Sequence, residues 1–274
     1  MNSPDSLRAF GKNLLESAYR LNKDLGVEGE RQVETDKDMV LEADLAISRE
    51  IQSLVEKRGV PTVLWTEEFK RVQFGDNPLE TIAFDDIDGT FNKKHGAGIL
   101  PYCSIATIFD TPNPRYEDAV YAGIIIHTTG DLFEAIRGQG VLKNGVRLAT
   151  NFPEQLERNS TIYVNHHETS RATPDFLPAI GRLEARTVSR DILSSGVAFA
   201  LVAQHGVAYI GGRNKAHELG AGYLFMRELG GTILDFEGRD IGKDLYEFEG
   251  SKSMIAAVSL GVAQEILMEL RKTA

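Results

Sequence analysis

The sequence predicts a layered α/β fold. Residues 1–150 form an α+β half, residues 151–274 form an α/β half, and a site lies between them. Three observations carry that prediction. Two helical patterns are followed by a run of apolar segments separated by turn residues, which reads as a meander of strands. Past "NFPEQLERN" the pattern changes to an alternation of strand-like and helix-like segments. Two early strand candidates end in paired acids, so carboxylates from separate segments can converge on one place.

The elements follow in order. From Ser6 to Leu25 apolar residues recur at three- and four-residue intervals (Leu7, Phe10, Leu14, Leu15, Ala18, Leu21), the spacing of an amphipathic helix with Ser3 and Asp5 as cap candidates. A second helix is predicted over Ala43–Lys57, with Ile47, Ile51, Leu54 and Val55 on its buried side. Asp44 falls on that same face, one turn before Ile47, so its carboxylate points inward. "PTVLW" and "ETIAF" read as short strands, the first running into Glu67 and Glu68 and the second into Asp85 and Asp86. "YCSIATIF", "AVYAGIIIH", "DLFEAI" and "GVLKNGVRL" follow as the meander, with "TTGD" and "KNG" as its turns. The "GQG" of Gly138–Gly140 lies between strands and lacks the following helix of a dinucleotide loop.

In the second half, "STIYVN", "EARTVS", "VAYIGG" and "GTILDF" read as strands. Helices are expected near Thr173–Leu183, over Ser195–His205 and over Lys215–Leu229. "DLYEFEGS" is an exposed loop before the last strand, "SMIAAVS", and Gly261–Lys272 has the apolar spacing of a packing helix. Trp65 is expected as a core anchor. The adjacent histidines of "NHHE" point to opposite sides of a strand end and suit a surface or substrate rim better than one shared ion.

Composition limits the partners. The chain has 274 residues, 42% of them hydrophobic and 26% charged, the makeup of a globular protein long enough to bury a sizeable core. A formal charge of −10, from 30 basic and 40 acidic residues, argues against a nucleic-acid polymer as partner. A small anion held through metals remains compatible. Cys103 is the single cysteine and excludes an internal disulfide, which fits a reducing, cytoplasmic setting. No apolar run approaches the roughly 20 residues of a membrane span, and "MNSPDSLRAF" lacks the pattern of a secretory signal, so no membrane partner is expected.

The stretch "AFDDIDGTFN" concentrates the chemistry. Asp85, Asp86 and Asp88 follow an apolar run, and partly buried neighbouring carboxylates repel one another unless a cation neutralises them. Magnesium suits all-oxygen ligation. Gly89 and Thr90 would open a turn or helix whose free N–H groups face a phosphoryl group. Taken alone, "DIDGT" reads equally well as a solvated turn.

The surrounding motifs break that tie. "LEADLA" with Asp44, "WTEEF" with Glu67 and Glu68, "DDIDGTFN", and "KAHELGAGYLFMRELGG" with Glu218 stand in the order and approximate spacing of the inositol monophosphatase superfamily. The run "YAGIIIHTTGDLFEAIRGQGVLKNG" also resembles that superfamily, so the likeness covers nearly the whole chain. It implies an αβαβα sandwich of the sugar phosphatase type. It further implies a magnesium-dependent, lithium-sensitive phosphomonoesterase with two or three ions, a small phosphorylated metabolite as partner, and a homodimer. Carried over by the resemblance, Glu67, Asp85 and the Ile87 carbonyl hold one ion, and Asp85 bridges to another completed by Asp88 and Glu218. Glu67 and Thr90, the latter hydrogen-bonded to Asp44, orient and deprotonate the attacking water. Asp88, Gly89 and Thr90 meet the substrate, and Ser194, Ser195 and Arg213 are further candidates on its side. Glu68 is a helper of metal binding, and Asn92 and His95 have structural roles.

Three positions depart from the family pattern: Asp86 for proline, His217 for tryptophan and Glu218 for aspartate. Gly211 stands where inositol-selective members carry a glutamate, and Arg213, Asn214 and Lys215 follow as either a second-anion site or a solvated basic turn. The departures motivate an alternative, a catalytically weakened relative that binds a phosphorylated ligand in a regulatory role.

Overall fold

The computed structural model describes residues 4–33, 40–149, 151–166, 169–170 and 176–272. The chain opens with α1 (Pro4–Leu25), which buries Leu14, Leu15 and Ala18 as its apolar spacing requires. The cap candidate Ser3 lies outside the described residues. β1 (Gln32–Val33) and β2 (Val40–Leu41) form a two-stranded ribbon leading into α2 (Glu42–Arg58), which ends at Gly59 in the left-handed conformation that favours glycine.

β3 (Thr62–Thr66), β4 (Lys70–Phe74) and β5 (Glu80–Asp88) come next, followed by the short helix α3 (Thr90–His95). The meander is β6 (Cys103–Phe109), β7 (Ala119–Ile126), β8 (Leu132–Ile136), β9 (Gly140–Lys143) and β10 (Val146–Arg147). These strands make one eight-stranded sheet in the order β10-β9-β8-β7-β6-β5-β3-β4. Every neighbouring pair is antiparallel except β3 and β5. The sequence did not indicate β4, because its polar, basic start (Lys70, Arg71) is edge-strand chemistry rather than an apolar run.

The second sheet joins β11 (Ser160–Asn165), β12 (Thr187–Asp191), β13 (Ala208–Lys215), β14 (Thr232–Asp235) and β15 (Ser251–Ala257) in the order β12-β11-β13-β15-β14. β12, β11 and β13 run parallel, as strand and helix alternation requires, while β15 returns antiparallel. The helices of this half are α4 (Phe176–Glu184), α5 (Ser195–Gln204), α6 (Ala216–Glu228) and α7 (Leu260–Arg271). The start of the helix expected from Thr173 lies outside the described residues.

The layers follow from which helices have a polar face. α1 and α2 are amphipathic and cover one side of the large sheet. α5 and most of α6 are buried all round, so they lie between the two sheets. α4 and α7 cover the outer side of the small sheet. The result is the αβαβα sandwich. One core cluster (Leu15, Ile47, Ile82, Phe84) lies under α1 and α2, and a larger one (Phe109, Phe199, Phe225, Ile255) fills the space around α5 and α6. Trp65 packs on that larger cluster, stacked on Phe248 at 5.1 Å between ring centroids. Among the described residues no helix is long and apolar enough to cross a membrane.

Candidate metal centre

Strand pairing brings the acids together. β3 and β5 are parallel neighbours with Thr66 opposite Phe84, so the next residue on each, Glu67 just past β3 and Asp85 within β5, emerges at the same level. The Thr66 hydroxyl accepts from the Phe69 N–H at 3.1 Å and closes the turn that carries Glu67 and Glu68.

Asp85 and Asp88 are three apart and would face opposite sides of a regular strand. Against β6, however, Asp85 pairs with Ile105 and Asp88 with Cys103, so two residues of β5 oppose only Ser104. This bulge restores Asp85 and Asp88 to one side and turns Asp86 to the other. Asp86 accepts from the Ser48 hydroxyl on α2 at 2.5 Å, and the Ser104 hydroxyl donates to the Asp86 carbonyl. Asp86 therefore faces α2, on the side away from Asp85 and Asp88.

The second half completes the cluster. Ser194 caps α5, and its hydroxyl donates to Asp88 Oδ2 at 2.7 Å while the Gly196 N–H donates to the same oxygen at 2.6 Å. The N-terminus of α5 thus holds the Asp88 carboxylate. Glu218 lies in the first turn of α6 and is buried. Two sets of donor atoms result, Glu67 with Asp85 and His217, and Asp85 with Asp88 and Glu218, each with its donor atoms within 4.8 Å of one another. Asp85 belongs to both.

The residues fit a pair of hard divalent cations. The donors are mainly carboxylate oxygens, and Asp85 Oδ1 is buried without a hydrogen-bond partner. Burial, reinforced by Glu67, Asp88 and Glu218, pushes the Asp85 carboxyl well above its ordinary range. Burial likewise raises Asp88, against the opposing bonds from Ser194 and Gly196, and brings Glu218 to about 8. Such acids ionise together only when a cation offsets their repulsion.

Other expected residues take different partners. The predicted Asp44–Thr90 hydrogen bond is not formed. Asp44 accepts the Leu41 N–H at 2.8 Å, because the start of α2 needs an acceptor, and the Thr90 hydroxyl donates to the Ile87 carbonyl at 2.9 Å. Burial, with Glu67 and Glu68 nearby, raises Asp44 to about 7 although the Leu41 N–H opposes it. Gly89 takes a φ of 90° at the start of α3, where a side chain would meet Ser194 and Tyr102. Ser195 is bonded within the protein, to the Tyr209 hydroxyl at 3.0 Å and to Asn214 Oδ1 at 3.1 Å. Asn92 donates to the Pro101 and Ile192 carbonyls and ties α3 to the loop before α5, and the His95 ring lies 4.6 Å from that of Phe91. Arg213 is exposed at a bulge between β13 and β15, with φ of 57°. In "NHHE", His166 pairs with Asp191 at 3.2 Å, while His167 and Glu168 lie outside the described residues.

Two residues gain roles that the sequence did not indicate. His217 Nε2 lies 3.4 Å from Asp85 Oδ2, so the residue in the tryptophan position adds a nitrogen to the first donor set. Lys215 turns onto Glu67, Nζ to Oε1 2.5 Å, instead of standing as a solvated basic turn or facing a second anion. A lysine beside a metal motif carries no signal of which acid it reaches.

The chain is similar to known proteins over nearly its whole length. A model of the inositol monophosphatase family matches residues 6–274. The Nus factor SuhB of Haemophilus influenzae is 27% identical over 236 residues, covering 85% of this chain and 83% of that protein. A fructose-1,6-bisphosphatase/inositol-1-monophosphatase of Methanothermobacter thermautotrophicus is 24% identical over 238 residues, covering 83% and 81%. The solved structure of an IMPase/NADP phosphatase complexed with Mg2+ and phosphate superposes with a TM-score of 0.78 at 18% identity, covering 100% of this chain and 98% of that one.

Proposed function

The chain belongs to the inositol monophosphatase family, and we propose on that premise that it is a magnesium-dependent phosphomonoesterase acting in the cytoplasm on a small inositol or sugar phosphate. The observation that carries this reading is the pair of acidic donor sets joined through the buried Asp85. Glu67, Asp85 and the Ile87 carbonyl would hold one ion, and Asp85, Asp88 and Glu218 another. Bound there, magnesium supplies the Lewis acidity that activates water and neutralises the leaving oxygen.

The chain's own residues do the rest. The Thr90 hydroxyl donates its hydrogen bond to the Ile87 carbonyl, which leaves its oxygen lone pairs to orient the attacking water. Glu67 accepts the proton, and Asp44, poised near 7, stands close enough to bias it. Gly89 and Thr90 offer backbone N–H groups to the phosphoryl oxygens. Asp88, held rigid by Ser194 and Gly196, faces the substrate, with Arg213 at the rim and Ser195 fixing the wall behind. At Gly211 a side chain would run into Asn214, with its Cβ only 2.3 Å from Nδ2, so no glutamate is available there to select inositol.

The test is phosphate release across a panel of inositol, sugar and nucleotide monophosphates. Turnover of at least one ester should require magnesium, disappear with a chelator, and fall with added lithium. Binding of a phosphorylated ligand without turnover on any ester would replace this reading with the regulatory one.

A homodimer is part of the proposal. Four exposed apolar side chains, Phe91, Ile99, Leu100 and Leu193, lie on α3 and the two loops that Asn92 ties together. An apolar patch of this kind is better covered than solvated. Light scattering should report the mass of two chains, and Ile99→Asp should shift it toward one; a wild-type monomer would refute the dimer.

A further inference from the structure

Lys215 ends β13, where its backbone is fixed opposite Ser251 on β15. Its side chain is 54% exposed, so only its tip is committed, and that tip lies 2.5 Å from Glu67 Oε1. The same ammonium is the cation that opposes burial at Asp85, at Asp88 and at Glu218. In return, Glu67, Glu218 and Asp85 outweigh the cost of burying the ammonium and raise the Lys215 pKa above its ordinary value. One flexible side chain thus serves all four acids of the candidate centre.

An ammonium and a divalent cation compete for the Glu67 carboxylate. Both seek the same lone pairs, and they repel each other at short range. The exposed lysine stem can swing into solvent, whereas Asp85, Asp88 and Glu218 are buried.

Resting on the metal-dependent reading of the site, we propose that Lys215 is a resident counter-ion that competes with the first divalent cation for Glu67. It holds the metal-free acids together and is displaced as the site fills. Two consequences of opposite sign follow. Without Lys215 the cation meets no competitor and no like charge, so it binds more tightly. Without Lys215 the metal-free protein loses the ammonium that opposes burial at Asp85, Asp88 and Glu218, so it melts earlier.

The experiment uses the full chain stripped of divalent cations and no substrate. Calorimetric titration with Mg2+ or Mn2+ should show Lys215→Met binding about five- to tenfold more tightly than wild type, with Lys215→Arg close to wild type. In chelator, Lys215→Met should melt several degrees below wild type, and its gain on adding Mg2+ should be the larger of the two. If Lys215→Met does not fold, Lys215→Gln keeps the stem's bulk and must show the same signs. Unchanged or weaker cation binding in the charge-free variants overturns the proposal, as does a metal-free melting temperature equal to wild type. Wild type that binds no divalent cation overturns it together with the metal reading. Tight cation binding with the predicted lysine effect but no phosphate release leaves Lys215 as proposed and removes only the phosphatase function.

Discussion

Asp85→Asn is expected to abolish phosphate release, by roughly 10³-fold or more, and at the same time to raise the melting temperature of the metal-free protein. Both effects come from one position. Asp85 is the residue common to the two donor sets, so an amide there weakens both. It is also 1% exposed and surrounded by Glu67, Asp88 and Glu218, so its charge is a cost to the fold whenever no divalent cation is present.

The pH dependence has a definite sign. Glu218 is raised from 4.5 to about 8, and Asp44 from 3.8 to about 7. Between the ordinary and the raised values the folded chain binds more protons than the unfolded one, so stability falls as pH rises. Wild-type protein in chelator should therefore lose roughly 5–10 °C between pH 5 and pH 8. Asp85→Asn should lose less, because removing the central charge lets Glu218 and Asp88 ionise more easily. A metal-free Asp85→Asn protein less stable than wild type at pH 8 would show that the acids are not in conflict.

Gly222→Val is expected to cost about 3–4 kcal/mol and lower the melting temperature by roughly 10 °C. Replacing glycine in a solvent-facing helix normally helps, because glycine is a poor helix former. Gly222 is instead on the buried α6, where a Cβ would lie 2.2 Å from Phe199 Cζ and 2.4 Å from Cε1. The Phe199 ring is fully buried on α5 and edge-on to Tyr209 at 5.3 Å, so it has nowhere to retreat. Shortening the partner should relieve the clash, and Phe199→Leu combined with Gly222→Val should lose clearly less than the sum of the two single changes. Simple additivity would mean that the two helices do not meet as described. This matters for the site because α5 and α6 deliver Ser194, Gly196 and Glu218 to it.

Most of the element order was legible because each helix and strand of the sandwich buries a face whose period survives in one dimension. The amphipathic α1 and α2, the meander and the later alternation all announce themselves in that way. β4 did not, because an edge strand with one solvated side has no apolar signature. The six-residue α3 is too short to show a period, and it was expected as a turn or helix only from Gly89 and Thr90 and the family likeness.

By itself the sequence determined that acids would stand at the ends of neighbouring strands and that Glu218 would open a later helix, since these are local facts of order and spacing. Only the tertiary structure decided where each charge points. A bulge that exists in the pairing of β5 with β6 separates Asp86 from Asp85 and Asp88. The capping need of α2 takes Asp44 from Thr90. Glu67 meets Lys215, 148 positions away along the chain. The physical reason is that backbone periodicity is set by neighbours in sequence, while the partner of a side-chain charge is set by whatever folding brings within a few ångströms.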